Sequence, residues 1–426
     1  MPVSGPSLGP LAQTVAFHRD PLGVLRRARA RHGDLFTLRL ATVRPIFVVA
    51  DLDDIEALLA ADPRAARAGE ARREMLPMAS PRSIFGSDGA RHAAARRRVA
   101  AVFEPDAVER RANAIAAIAA RHVDSWPRTR PMRLLPRMRA VVDEVFVRIL
   151  LGVADGARAR AIAAAIRRML WTPGNPPLTL PGEGDGLLGA AGARLFERRQ
   201  APLARLLVEE IDARRRTHVD GEPDDILERM LADEPSLPAE ALVDELLALV
   251  MAAQEPAAAA LTWVLERLAR QPELAAPFAA PGTDPARRAI VLETLRLRPA
   301  AIAALRRLTT PRVVAGRRLP AGSLTMVPIP LVHRDPRVYP DPDDFRPERW
   351  RDAAPGAAYL PFGGGARRCL GEALAWTYFA SIVPAVVRRV RLRPAWPRPE
   401  RMVLRGTILV PHRSALVRAV DRPATP

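Results

Sequence analysis

The sequence predicts a mainly α fold with a smaller β portion. Three observations predict it. From Ala90 to about Arg270 the composition is almost continuously helix-forming. Two strand-like stretches, DLFTLRLA and RPIFVVAD, precede that region. Short strands and turns such as RRLPAGSL and RMVLRGTILV follow it. At 49% hydrophobic, a chain of 426 residues can bury a sizeable core.

Taken in order, GVLRRARARHG reads as a helix ended by Gly33. The two strand-like stretches then form a hairpin, and the short helix DLDDIEALLA follows. Residues 70–88 read as a loop-rich stretch. Within the helical region, WTPGNPPLTLPGEGDG (171–186) is too rich in Pro and Gly for regular structure and reads as a lid between two helices. A long helix opens at SLPAEALVDELL, with Ser236 near its cap and Pro238 in its first turn. It runs to about Arg270, a length of roughly 50 Å. Another helix spans about Asp284 to Leu297, and a last one follows Cys369. The expected organisation is one domain over 1–426, with a β-containing part at about 1–70 and a helical remainder.

The net charge of +18 at pH 7 raises the question of nucleic acid. There is no lysine, so all 65 basic residues are Arg, scattered among Asp and Glu. Asn occurs only at Asn113 and Asn175, a bias that GC-rich coding sequence would give. The reading is therefore no nucleic acid, and a basic face that steers an acidic protein partner. The opening MPVSGPSLGPLAQ is too polar for a signal peptide, and no run of apolar residues reaches membrane-spanning length. A cytoplasmic protein without a membrane segment is expected.

Cys369 is the single cysteine, which excludes internal disulfides and multi-cysteine metal sites. It follows three glycines and two arginines and precedes a helix. Close backbone N–H groups, arginines and a helix N-terminus all favour a thiolate. That thiolate could be a nucleophile or a soft metal ligand, and a small buried cysteine at a helix start is the plain alternative. No histidine lies nearby in sequence to serve a nucleophile.

FGGGARRCLG also resembles the haem-binding signature of the cytochrome P450 family, through Phe362, Gly365, Arg367, Cys369 and Gly371. ETLR supplies that family's Glu-x-x-Arg as Glu293 and Arg296, and DPDDFRPERW supplies Arg349, which joins the pair. The resemblance extends over nearly the whole chain. It implies haem b (iron protoporphyrin IX) with Cys369 thiolate as the iron ligand, and a structural charge network of Glu293, Arg296 and Arg349. It places His92, Arg96, Arg306 and Arg367 at the haem propionates. Arg97, Arg98 and Arg368 are candidates for a face that receives an acidic ferredoxin. With no flavin or iron–sulfur domain in the sequence, electrons would come from separate ferredoxin and ferredoxin reductase chains acting on a monomer, with O2 as oxidant.

One departure concerns chemistry. AAQEPA lines up with the family's Ala-Gly-x-Glu/Asp-Thr-Thr on the long central helix. Ala252 and Glu255 match, whereas Ala253, Pro256 and Ala257 replace the glycine and both threonines. In the family the first threonine delivers protons to the oxygen site, and proline has no proton to give. The resemblance then implies a monooxygenase whose proton comes from water or from a substrate hydroxyl. A peroxygenase using hydrogen peroxide, an enzyme that rearranges, couples or desaturates its substrate, and a non-catalytic haem carrier or sensor are the alternatives. By position, Met75, Leu76, Met78, Ile84 and Phe85 would cover the substrate. Leu249, Ala252, Ile302, Ala303, Thr407 and Ile408 would line the pocket. Their apolar character suits a bulky hydrophobic substrate such as a terpenoid or polyketide of bacterial secondary metabolism.

Overall fold

Alternating β-branched and aromatic residues in LFTL and IFVV favour extended chain. In the computed structural model, Leu35–Leu38 and Ile46–Val49 form the expected antiparallel hairpin, with Leu35 opposite Val49. The structure describes residues 3–41, 43–76, 79–170, 187–217, 223–282, 285–351 and 354–422, with side chains of 187–193 excepted. The 171–186 stretch and Met78 lie outside them.

That hairpin does not stand alone. Ile46–Val49 pairs in parallel with Leu324–Pro328, which pairs antiparallel with Ala303–Leu308, and the edge strand Ala66–Arg67 closes a five-stranded sheet. Half the sheet thus comes from residues after 300, so the β structure is not confined to the region before residue 70. RMVLRGTILV is itself a hairpin of Met402–Arg405 and Ile408–Pro411, turned at Gly406 and Thr407. A strand at Leu416–Asp421, which the sequence did not suggest, pairs with Val390–Pro394.

Residues 70–75 also depart from expectation. They belong to a helix, Ala68–Met75, at the start of the stretch read as loop. Asp88 organises its N-terminus by accepting hydrogen bonds from the Gly69 and Glu70 N–H groups (both 2.8 Å), leaving no local sequence signal for a cap.

The central helix spans Ala239–Arg270 without a break and includes Pro256. Pro238, not a side chain of Ser236, occupies its N-cap position. Leu242, Leu246, Val250, Ala258, Leu261 and Leu265 are fully buried or nearly so in the largest core cluster. Tertiary packing on this scale offsets the roughly 3 kcal/mol cost of an interior proline. The helix is apolar enough by length and composition to cross a membrane, yet 67% of its most apolar window is buried by the rest of the chain. The helices Pro285–Leu297 and Glu372–Arg389 pack beside it.

Candidate active site

Under the central helix, Glu293 and Arg296 sit one turn apart on a helix whose whole C-terminal half is buried. Both side chains are fully buried, and Arg296 Nε and Nη2 donate to the two Glu293 oxygens at 2.8 Å each. Arg349 Nε donates to Glu293 at 3.3 Å, as its motif suggested. Two further donors, the Arg346 N–H and Trp350 Nε1 (2.9 Å each), complete the carboxylate's shell. The remaining Arg296 donors reach the carbonyls of His333, Pro342 and Asp344. This network ties the Glu293 helix to the segment that leads into the cysteine loop.

That loop is short and backbone-determined. Gly365 has a φ of +62°, and a Cβ there would stand 1.9 Å from the Leu59 carbonyl oxygen, so only glycine fits. Gly365 therefore shapes the turn and is not part of the cavity wall. The Cys369 N–H donates to the Phe362 carbonyl at 2.8 Å, and the side chain opens into a cavity of about 1310 Å³. Phe362, Gly363, Gly364, Arg367 and Gly371 line the same floor.

Burial pushes the Cys369 thiol up, with the Gly371 N–H opposing and Glu372 adding to the rise. The arginines expected to lower it are engaged elsewhere. Arg368 pairs with Glu372 at 2.7 Å, and Arg367 pairs with Asp88 at 2.6 Å. Arg96 and Arg72 oppose the rise, and a bound metal cation would deprotonate this thiol outright.

Along one side of the floor the charges do not balance. Arg72, His92, Arg96, Arg306 and Arg367 all line the cavity, and the carboxylate among them is Asp88. Burial lowers Arg72 to about 9, assisted by Arg367 and Arg306. Burial likewise lowers Arg306 to about 10, assisted by Arg367, and His92 to about 4, assisted by Arg367 and Arg96. His92 is thus a neutral imidazole able to donate one hydrogen bond. Such a crowd of buried cations is stable only with an anionic partner. The two propionates of a haem supply one, and the cavity exceeds the usual 300–1,000 Å³ of a small-ligand site, so the residues fit the group.

Arg72 escaped the sequence reading. It lies on the short helix Ala68–Met75, stacks over the Phe85 ring at 4.6 Å, and is one arginine in a chain full of them. Among the described residues no cluster of three His, Cys, Asp or Glu side chains could hold a metal.

Opposite the floor, Leu249, Ala252, Ala253, Glu255, Pro256 and Ala257 of the central helix line the cavity. Glu255 is held by Arg139 Nη2 at 2.6 Å. Pro256 has no N–H, so the Ala252 carbonyl four residues earlier keeps a free lone pair on this wall. Met75, Leu76, Ile84, Phe85, Ala303, Thr407 and Ile408 also line the space. Ile302 does not. It is buried in a core cluster with Trp263 and Leu409. The loop carrying Ile84 and Phe85 is strapped to the central helix. Asp244 accepts from Ser80 Oγ (2.8 Å) and Arg82 Nε (2.9 Å), and Glu245 accepts from the Ile84 N–H (2.7 Å). On the outer face, Arg97 is exposed, whereas Arg98 is already paired with Asp233 and Glu234.

A buried Glu–Arg pair, a single cysteine on a cavity floor and a cationic edge together define a haem protein ligated by one cysteine. The family model for Cytochrome P450 matches residues 1–277 and 285–417, and the chain belongs to that family. Cytochrome P450 135B1 of Mycobacterium tuberculosis is 34% identical, over 97% of this chain and 90% of its own length. Cytochrome P450 135A1 of the same species is 30% identical, over 98% and 95%. The retinoic acid-bound cyanobacterial CYP120A1 superposes with a TM-score of 0.82 at 20% identity, covering 99% of each chain. The chain is accordingly a haem-thiolate monooxygenase, an oxidoreductase that uses O2 and electrons from a redox partner.

Proposed function

We propose that this monooxygenase oxidises a bulky, largely apolar small molecule of bacterial secondary metabolism, with electrons from a separate ferredoxin and its reductase. The observation that carries the reading is the cavity wall, where Leu249, Ile84, Phe85, Leu76 and Ala303 surround the space above Cys369. The haem supplies oxygen activation when bound, and its thiolate ligand favours O–O cleavage. Every other contribution is the protein's. Cys369 would hold the iron, and Arg72, His92, Arg96, Arg306 and Arg367 would hold the propionates. Glu293, Arg296 and Arg349 keep the cysteine loop in place.

Proton supply differs from the family pattern. Pro256 has no hydroxyl to donate, and the Glu255 carboxylate is committed to Arg139. The free Ala252 carbonyl is an acceptor that can hold a water or a substrate hydroxyl, and that hydroxyl is the proton donor in this reading. Turnover of a panel of terpenoids and polyketides tests it, comparing ferredoxin plus NAD(P)H against hydrogen peroxide alone. Reductase-dependent product formation supports the reading. Faster turnover with peroxide and no reductase replaces it with a peroxygenase.

A further inference from the structure

The cavity has a second group of arginines that a haem does not account for. Arg19, Arg133, Arg139 and Arg405 line it, together with Glu255, the one acidic lining residue among those described. They come from four separate places: the end of the helix Pro10–Arg19, the N-cap of the helix Leu134–Val145, that helix's interior, and the end of strand Met402–Arg405. Arg405 feels Arg139, Glu255, Arg133 and Glu400 as its charged neighbours. None of these belongs to the set around Arg72 and Arg306, so the two groups are electrostatically separate poles of one cavity.

Charge at the second pole is not balanced. Glu255 neutralises Arg139 at 2.6 Å. Glu400 lies off the cavity wall and spends one oxygen on the Arg413 N–H. Among the described residues the Arg405 side chain donates only to the His412 carbonyl at 3.3 Å, and the exposed side chains of Arg19 and Arg133 have no hydrogen-bond or ion-pair partner. Some arginines elsewhere in the chain are coupled to carboxylates, as in Arg214 with Asp225 and Glu228, or Arg307 with Glu70 and Glu74. Arg133 and Arg405 are exposed residues on this wall, close enough for their charges to interact, and two guanidiniums beside the apolar part of the cavity are suited to a carboxylate, which accepts a planar pair of N–H donors.

We infer that the substrate is an amphipathic carboxylic acid, its apolar body in the cavity and its carboxylate gripped by Arg133 and Arg405. This rests on the monooxygenase reading of the same cavity and narrows its substrate class.

The test is optical titration of the purified haem-loaded protein with dodecanoic, hexadecanoic and abietic acids, each against its methyl ester. It is run at low and high salt, with wild type, Arg133→Gln, Arg405→Gln and the double variant. At least one acid should bind roughly tenfold or more tighter than its ester, the value of a charge-assisted contact. High salt should narrow that gap in wild type, and the double variant should remove it while leaving ester affinity in place. Equal affinities of acid and ester in wild type, no binding of any acid, or a gap that survives in the double variant would each overturn the inference. The carbon monoxide spectrum and the Soret shift with imidazole report the haem site separately. Intact spectra with equal affinities sink the carboxylate alone, and absent spectra sink the monooxygenase reading with it.

Discussion

Arg296 meets Glu293 through two hydrogen bonds of 2.8 Å, and neither side chain has any exposed surface. The pair is charge-balanced and every Glu293 oxygen is satisfied, so its worth lies in what its removal would leave behind. Glu293→Gln deprives buried Arg296 of its counter-charge, an uncompensated loss of about 3–5 kcal/mol. Thermal unfolding of the purified variant should show a large fall in midpoint, or the protein should fail to retain haem. A midpoint equal to wild type would show that the network does not hold the cysteine loop.

Arg72 shares the cationic edge of the cavity with Arg306 and Arg367 and is the member with no motif to announce it. Arg72→Leu should speed haem loss to an excess of apomyoglobin by about tenfold, as expected for removing one charge-assisted contact. An unchanged rate would assign Arg72 to packing on Phe85 alone.

Pro256 stands on the cavity wall beside Ala252. Pro256→Thr restores a hydroxyl and the helix N–H at once. The share of reducing equivalents that ends in product should rise severalfold with an unfunctionalised substrate, because a positioned hydroxyl then relays the proton. Identical coupling in both proteins would deny the proline any part in proton supply.

Glu245 straps the Ile84–Phe85 loop and is pushed up to about 7 by burial, which outweighs the Ile84 N–H and Arg98. Its ordinary value is 4.5, so between pH 4.5 and 7 the folded protein holds a proton that the unfolded chain has lost. Stability contributed by this group therefore falls as pH rises through that window and is level above it. Relative to wild type, Glu245→Gln should gain thermal stability between pH 5 and about 7, by on the order of 2 kcal/mol, and show no further change above. A midpoint difference independent of pH would contradict the strap's titration. Asp143, which burial also raises to about 7, cancels in the difference.

The parts of this site that the sequence disclosed are those whose residues are close in the chain and chemically unusual together. Phe362 to Gly371 and Glu293 with Arg296 are of that kind, and Arg349 lies where its motif put it. Arg72 was hidden because its helix has no local cap and its residue type is commonplace here. Trp350, which completes the Glu293 shell, carries no charge to suggest an ion network. Ile302 belongs to the core although Ala301 and Ala303 on either side of it line the cavity, and position in the sequence does not separate the three. The thiol shift was misjudged because Arg367 and Arg368 have carboxylate partners distant or downstream in sequence. The five-stranded sheet joins segments about 280 residues apart, such as Ile46 and Leu324, and only tertiary contact reveals such pairing.

The central claim is that Cys369 holds a haem iron through its thiolate. The carbon monoxide difference spectrum of the reduced protein tests it most directly. The account predicts a band at about 450 nm in wild type, characteristic of thiolate ligation, and its disappearance in Cys369→Ser. A wild-type protein that binds haem without that band, or a Cys369→Ser variant that keeps it, would contradict the account.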